Sequence, residues 1–499
     1  MSISAFANYT DKETFEKIKL YPTVSAMWSE CAKEFADREA IVDGKSFTYA
    51  DLDRDSAALR GYLSANGVKK GSRVAIFAPT SYDAVKAFIA VTTLGGVAVM
   101  LPAHLEEMAV FGCCMKFGVS EILYDASLEA KLAVAKAKGI VAYDIANSAA
   151  DPVDCSTDVC GDDPACIIFT GGTSGKNKGA LLSNRAIMAG TRNGCYGYRD
   201  VFFNKYMIVL PLTHVFGLIR NILTPLCTGS SVYICRNPKN MFKEMAVYSP
   251  TTLVLVPALA ELALNLSKQI GPQILGRNLK YIICGASAVP PHLIREYKEI
   301  GVELFQGYGL TESANLVSGN PDNMEKPASV GIPYPDQELK VVDGELYIKG
   351  INVMTEYVGD PEETAAAFDN GWFKTGDLVR FDDEGYLYIV GRQNDVIVLS
   401  TGENISPAEY ETKFCELDYL ADAMIYEDYT ENGAQILTLE VVPRSTCTVA
   451  ADKIEADLKE INGKLPSFAR VSRIVVRKED FARTPAMKKI RIKKTYEQK

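Results

Sequence analysis

The sequence predicts an α/β protein. Its large N-terminal domain has layered, mainly parallel sheets with helices and a small antiparallel, barrel-like subdomain, and a small α+β C-terminal domain follows. Three observations predict this. Helical and strand-like segments alternate from about residue 23 to residue 340, the pattern of parallel strands joined by crossover helices. Near residue 340 short strands separated by polar turns take over, which suits antiparallel pairing. Roughly the last hundred residues mix both kinds of segment again and read as a separate body. At 499 residues the chain exceeds one compact core, with a length prior of roughly three domains. The polar break Arg392-Gln-Asn-Asp395 divides it into 1–392 and 393–499.

The elements follow in order. Residues 51–63, Asp-Leu-Asp-Arg-Asp-Ser-Ala-Ala-Leu-Arg-Gly-Tyr-Leu, have helical spacing, and the run from Gly71 to Pro79 enters a strand. Asp83 to Leu94 is helical again, and Val97 to Leu101 is a strand. The longest apolar stretch, Ala87 to Ala103, contains Thr92, Thr93, Gly95 and Gly96. Its length and paired glycines fit a buried helix running into a buried strand rather than a membrane span. Pro164 to Phe169 suits a buried strand, as do Tyr281 to Cys284 and Val302 to Phe305. Leu339 to Val342 and Gly344 to Gly350 read as antiparallel strands, and Trp372 to Asp377 precedes another. Tyr386 to Gly391 and Gln435 to Val442 are strands, and Ala451 to Ile461 is a helix.

Composition narrows the class. Hydrophobic content of 47% and charged content of 23% are ordinary for a globular enzyme. A net charge of −10 argues against a general nucleic-acid binder, whose affinity rests on neutralising phosphates. The charge is uneven, since residues 464–499 hold 12 Lys or Arg against 3 Asp or Glu. That segment reads either as a solvated basic terminus or as a surface that meets phosphates. Twelve cysteines without a CxxC pair, and only three histidines, exclude zinc-site spacing. The polar first 20 residues exclude a signal peptide. The expectation is therefore a cytoplasmic chain with reduced thiols and no membrane span, as a monomer or homodimer.

The segment Phe169-Thr-Gly-Gly-Thr-Ser-Gly-Lys-Asn-Lys-Gly-Ala-Leu-Leu-Ser183 is the most informative. Gly171, Gly172, Gly175 and Gly179 let the backbone turn sharply and approach a ligand. Successive N–H groups in such a loop form an anion nest, to which Thr170, Thr173 and Ser174 add hydroxyls and Lys176 and Lys178 add charge. It is not the common P-loop, because Thr170 stands where a glycine is required and Asn177 follows Lys176. Alone it also reads as an ordinary turn between a strand and a helix.

Other segments share that character. Gly285-Ala-Ser-Ala288 follows one strand and Gln306-Gly-Tyr-Gly-Leu-Thr-Glu312 another. Ligands of α/β sheets bind at the carboxyl ends of strands, where these segments fall. Pro211-Leu-Thr-His-Val-Phe-Gly217, Trp372-Phe-Lys-Thr-Gly-Asp377, Gly391-Arg392 and Thr484-Pro-Ala-Met-Lys-Lys-Ile-Arg491 complete the set. Together these motifs resemble the adenylate-forming superfamily, most closely its acyl-CoA synthetases, over nearly the whole chain from Phe47 to Lys488.

The resemblance implies roles. Thr170, Gly171, Gly172, Thr173, Ser174 and Lys178 hold the phosphates of ATP, with Asn177 in place of the usual proline. Gly285, Ala286 and Ser287 line the adenine, together with Gln306, Gly307, Tyr308 and Gly309, and Tyr308 stacks on its face. Glu312 is the Mg²⁺ ligand and Thr311 a phosphate contact. Asp377 and Arg392 meet the ribose. His214 gates the acyl carboxylate, and Phe216, Arg220, Gly307, Gly309, Asn315 and Leu316 line the acyl tunnel. Arg220 either recognises a second polar group on the acid or points away at the surface. Asn394 is the interdomain hinge, Gly402 lies on the loop that serves thiol attack, and Lys488 is the catalytic lysine. Met487 replaces the usual glycine, and Lys489 is the rival that register against Thr484 and Arg491 rejects.

The implied reaction has two steps. A carboxylic acid attacks ATP with Mg²⁺, giving an acyl-adenylate and pyrophosphate, and a thiol then releases AMP. Coenzyme A is the default thiol, and a carrier-protein phosphopantetheine is the alternative. A catalytically inactive nucleotide-binding protein is the alternative of another class. Val215-Phe-Gly-Leu-Ile-Arg-Asn221 lacks the aspartate that pairs an amino group, which favours a plain carboxylic acid.

Overall fold

A computed structural model of the chain describes residues 12–171, 177–196, 200–400, 403–430, 432–444, 447–483 and 489–492. Among them, two large sheets dominate. One runs in space as Glu356–Tyr357, Asn177–Ser183, Pro164–Gly171, Val97–Leu101, Arg73–Phe77, Glu121–Tyr124 and Val141–Asp144. Its pairs are parallel except for the first three strands, which are antiparallel. The second runs Ile332–Pro333, Ser318–Gly319, Glu303–Tyr308, Tyr281–Cys284, Thr252–Leu255, Lys205–Ile208, Ser231–Ile234, Glu39–Asp43 and Lys45–Thr48. Its interior is parallel and its two ends are antiparallel.

The helix Tyr82–Thr93 shows why this architecture forms. Ser81 caps it by accepting from the Ala84 amide, and every residue except Asp83 is buried. It runs through Gly95, at φ +90°, into the fully buried strand Val97–Leu101. The apolar stretch is thus a core helix and core strand, and the helix packs in a cluster with Trp28, Tyr49 and Leu52. No helix among the described residues is long and apolar enough to cross a membrane.

The antiparallel part is the hairpin Gln337–Val342 and Glu345–Gly350, joined by Trp372–Phe381 with Phe368–Asp369 and Leu387–Arg392 alongside. Trp372 to Asp377 does not precede a strand but forms its first half. Gly376 stands at φ +70°, yet the ladder continues, and the Glu345 carboxylate accepts from the Gly376 amide at 2.8 Å. Beyond residue 395, the sheet Leu420–Tyr429, Gln435–Pro443 and Arg473–Val476 carries the helices Pro407–Phe414 and Ala451–Lys464. It has a hydrophobic cluster of its own, centred on Phe414, Leu439 and Leu458.

Candidate active site

Residues from both large sheets and the antiparallel sheet line one cavity of about 870 Å³. The segment expected to hold phosphates joins two antiparallel strands, Pro164–Gly171 and Asn177–Ser183, rather than a strand and a helix. Thr170 and Lys178 face each other in that ladder and both line the cavity. Gly172, Thr173 and Ser174 lie outside the described residues, and of Gly171 only the backbone is described. Gly402 and Lys488 also lie outside them.

The second sheet supplies two turns. Strand Tyr281–Cys284 ends in Gly285 and Ala286, and Ala286 adopts φ +68°, a conformation that costs a non-glycine residue energy. Both line the cavity, whereas the neighbouring Ser287 is exposed and does not. Strand Glu303–Tyr308 brings Gly307 and Tyr308 to the cavity. The chain then doubles back so closely that a Cβ on Gly309 would sit 1.7 Å from the Asn315 carbonyl oxygen. Ala314 at φ +48° and Asn315 at +92° complete this reversal, which leaves Thr311, Glu312, Asn315 and Leu316 on the wall. Gln306 does not join them. It is buried beneath the site, with its amide donating to the Pro327 carbonyl at 2.7 Å.

Tyr308, Asp377 and Arg392 are linked. The Tyr308 hydroxyl donates to Asp377 Oδ2 at 2.6 Å, and Arg392 Nε meets Oδ1 at 2.7 Å. Burial and the adjacent carboxylate hold the Tyr308 phenol well above its ordinary range, so it stays a donor. The Asp377 carboxylate raises the Arg392 guanidinium further still. Asp377 is 2% exposed and stands behind the wall that Tyr308 and Arg392 form.

At the other end, the Tyr357 hydroxyl donates to Glu312 Oε1 at 2.7 Å. Lys178 Nζ pairs with Glu363 at 2.6 Å and sits 4.7 Å from the centre of the Tyr357 ring. Tyr357 and Glu363 escaped the sequence reading. Their partners lie 45 and 185 residues away, and no local spacing announces such contacts.

His214 and Phe216 line the cavity from the start of a π-helix, Phe216–Leu223. Such turns often mark functional positions. Gly217 permits this one, because a Cβ there would lie 2.2 Å from the Pro211 carbonyl oxygen. Phe216 packs against Gly285. Arg220 corrects the surface alternative, since it is 2% exposed, and it does not line the cavity. The π-helix turns it inward beside Gly194 and Thr224. Gln393 and Asn394 also line the cavity.

Two family models match the chain, the AMP-binding enzyme model over residues 28–358 and the AMP-binding enzyme C-terminal domain model over 394–498. The chain belongs to the AMP-binding enzyme family. Among curated members, the oxalate–CoA ligase of Arabidopsis thaliana is 30% identical over 478 residues, covering 88% of this chain and 92% of the relative. The medium-chain fatty-acid–CoA ligase of Escherichia coli K12 is 29% identical over 80% of this chain and 77% of its own. The o-succinylbenzoate CoA synthetase of Bacillus subtilis, solved with its acyl-adenylate intermediate, superposes with a TM-score of 0.78. That match has 26% identity and covers 94% of this chain and 97% of the other. Within the AMP-binding enzyme family this chain is thus an acid–thiol ligase, with the fold of layered mixed sheets, an antiparallel half-barrel and a C-terminal domain.

Proposed function

We propose that the protein is an ATP-dependent carboxylic acid–CoA ligase that works through an acyl-adenylate. One observation carries this reading above the others. A single cavity joins a phosphate-type hairpin (Thr170, Lys178), a nucleoside-sized wall (Gly285, Ala286, Tyr308, Arg392) and an apolar recess (Phe216, Leu259, Ile283, Leu316) around His214. The Bacillus synthetase that shares the fold was solved both with its acyl-adenylate and with ATP and Mg²⁺, which supports placing ATP here.

In this reading Thr170 to Lys178 cradles the phosphates, and Lys178 exchanges Glu363 for a phosphate oxygen. Tyr308, between Gly307 and Gly309, stacks on adenine beside Gly285 and Ala286, while Arg392 and, behind it, Asp377 serve the ribose. Glu312, flanked by Thr311, suits Mg²⁺. No cluster of three or more metal-ligating side chains occurs among the described residues, and a single carboxylate is what an ion held mainly by phosphate oxygens requires. Bound there, Mg²⁺ neutralises charge that builds on the phosphates. His214 orients the acid carboxylate for attack on the α-phosphate, with its body in the recess against Phe216, Asn315 and Leu316. The apolar wall favours an acid with an apolar body.

The unit after residue 392 completes the cycle. It turns about Asn394, presenting Lys488 for adenylation and the Gly402 loop for attack by coenzyme A. The contacts of Lys489 support that register. It bonds Asp422 at 2.8 Å and the Ala423 carbonyl, so it is committed within its own unit. Incubation with ATP, Mg²⁺, CoA and a panel of carboxylic acids, reading AMP release, tests the proposal. Release with one class of acid and not without CoA is expected. No release with any acid, from a protein that binds ATP, would contradict it.

A further inference from the structure

One aromatic side chain, Tyr357, stands between Lys178 and Glu312 and touches both. Tyr357 stands on the short strand Glu356–Tyr357, opposite Ala180 in the hairpin that carries Lys178. The backbone fixes it from both sides, with the Thr355 amide donating to the Leu181 carbonyl at 3.0 Å and the Val358 amide to the Gly179 carbonyl at 2.9 Å. The Met354 amide donates to the Glu312 carbonyl at 2.7 Å. One segment therefore ties the phosphate hairpin to the Thr311-Glu312 turn.

The side chain repeats that tie. Its hydroxyl takes Glu312 Oε1 at 2.7 Å, and its ring face lies under the Lys178 ammonium at 4.7 Å. A carboxylate with one oxygen engaged presents the other in a fixed direction. An ammonium over an aromatic face is attracted by the ring quadrupole and is held in place there. The two effects come from different parts of one residue.

We propose that Tyr357 is a positioning residue with two separable actions: its hydroxyl aims Glu312 at the metal that accompanies ATP, and its ring seats Lys178 for the phosphates. The inference rests on the ATP-binding reading. Tyr357→Phe removes only the first action. Tyr357→Leu removes both.

The test is calorimetric binding of ATP to the full chain, with Mg²⁺ and with EDTA, alongside thermal melting. An outer partner of a metal ligand typically changes metal affinity 10- to 100-fold. Tyr357→Phe is therefore expected to weaken Mg²⁺–ATP binding about tenfold, while metal-free ATP binds within about twofold of wild type. Tyr357→Leu weakens both. Adding Mn²⁺ to the ATP complex should show the same order of apparent metal affinity, wild type above Phe. Unchanged Mg²⁺–ATP binding in a folded Tyr357→Phe protein would overturn the proposal. So would equal loss with and without metal, which marks a merely structural role. A wild-type chain that binds no ATP would overturn the ligase reading itself, so the two failures are distinct.

Discussion

Asp377 offers the sharpest single perturbation. Its carboxylate is 2% exposed and already serves two partners, the Tyr308 hydroxyl at 2.6 Å and Arg392 at 2.7 Å. A carboxylate has roughly four acceptor positions, so two remain for ribose hydroxyls that reach past the wall of Tyr308 and Arg392. Asp377→Ala strands a buried phenol donor, at a cost of about 1–3 kcal/mol. The Arg392 side of the pair adds about 1 kcal/mol at most, since that side chain is 39% exposed and water takes over its charge. Lowered melting by a few degrees is expected. ATP then loses an acceptor for its sugar, about 1–3 kcal/mol, which is about 5- to 150-fold in Kd. The assay is calorimetric titration with ATP and with 2′-deoxy-ATP on both proteins. Wild type should discriminate against the deoxy analogue, and the variant should discriminate less. If affinity falls but discrimination is unchanged, Asp377 only positions Tyr308 and Arg392. If ATP affinity is unchanged in a folded variant, the ribose placement is wrong.

Further predictions concern the unit after residue 392. Lys488→Ala should lose about 10²-fold or more in adenylate formation and keep thioester formation from a supplied acyl-adenylate. Lys489→Ala should instead lower melting, because Asp422 loses a partner; the reverse pattern in the two half-reactions would shift the register by one. Asn394→Pro, which fixes φ and removes an N–H, should spare one half-reaction and abolish the other; parallel loss in a folded protein would make 392–395 a plain linker. Glu411 gives a pH signature. Burial alone would raise its carboxyl, but Lys489 and Arg491, the latter at 2.7 Å, outweigh burial and hold it below the ordinary 4.5. A depressed carboxyl stabilises fully above the unfolded value and loses that contribution as pH falls below about 4.5. Thermal melting from pH 6 to 3 should show that loss, and Glu411→Gln should flatten it.

The sequence announced the parallel core because burial leaves a local trace. Ala87 to Leu101 is almost wholly apolar with Gly95 and Gly96 at the turn, and every helix and strand residue in it is buried. The glycines of the site were legible for a similar reason, since Gly309 and Gly217 stand where any Cβ would collide with backbone. What stayed hidden depends on distant partners. Gly376 stands at φ +70°, yet the strand continues, and Glu345, 31 residues upstream, accepts from its amide. Arg220 and Asn221 form a polar pair within an otherwise apolar run, so only the π-helix reveals that Arg220 turns into the core. Tyr357 and Glu363 meet Glu312 and Lys178 only because a two-residue strand adds to the phosphate hairpin. That short strand has no periodicity to detect.

An acyl-adenylate made in this cavity is detectable without any thiol. The full chain is incubated with ATP, Mg²⁺, labelled pyrophosphate and each of a set of carboxylic acids, and exchange of label into ATP is followed with mass spectrometry of the bound products. Exchange that depends on the acid, an acyl-AMP on the enzyme, and conversion to AMP and acyl-CoA when CoA is added are expected. Acid-independent exchange, or thioester formation with ADP and phosphate instead of AMP and pyrophosphate, would contradict it.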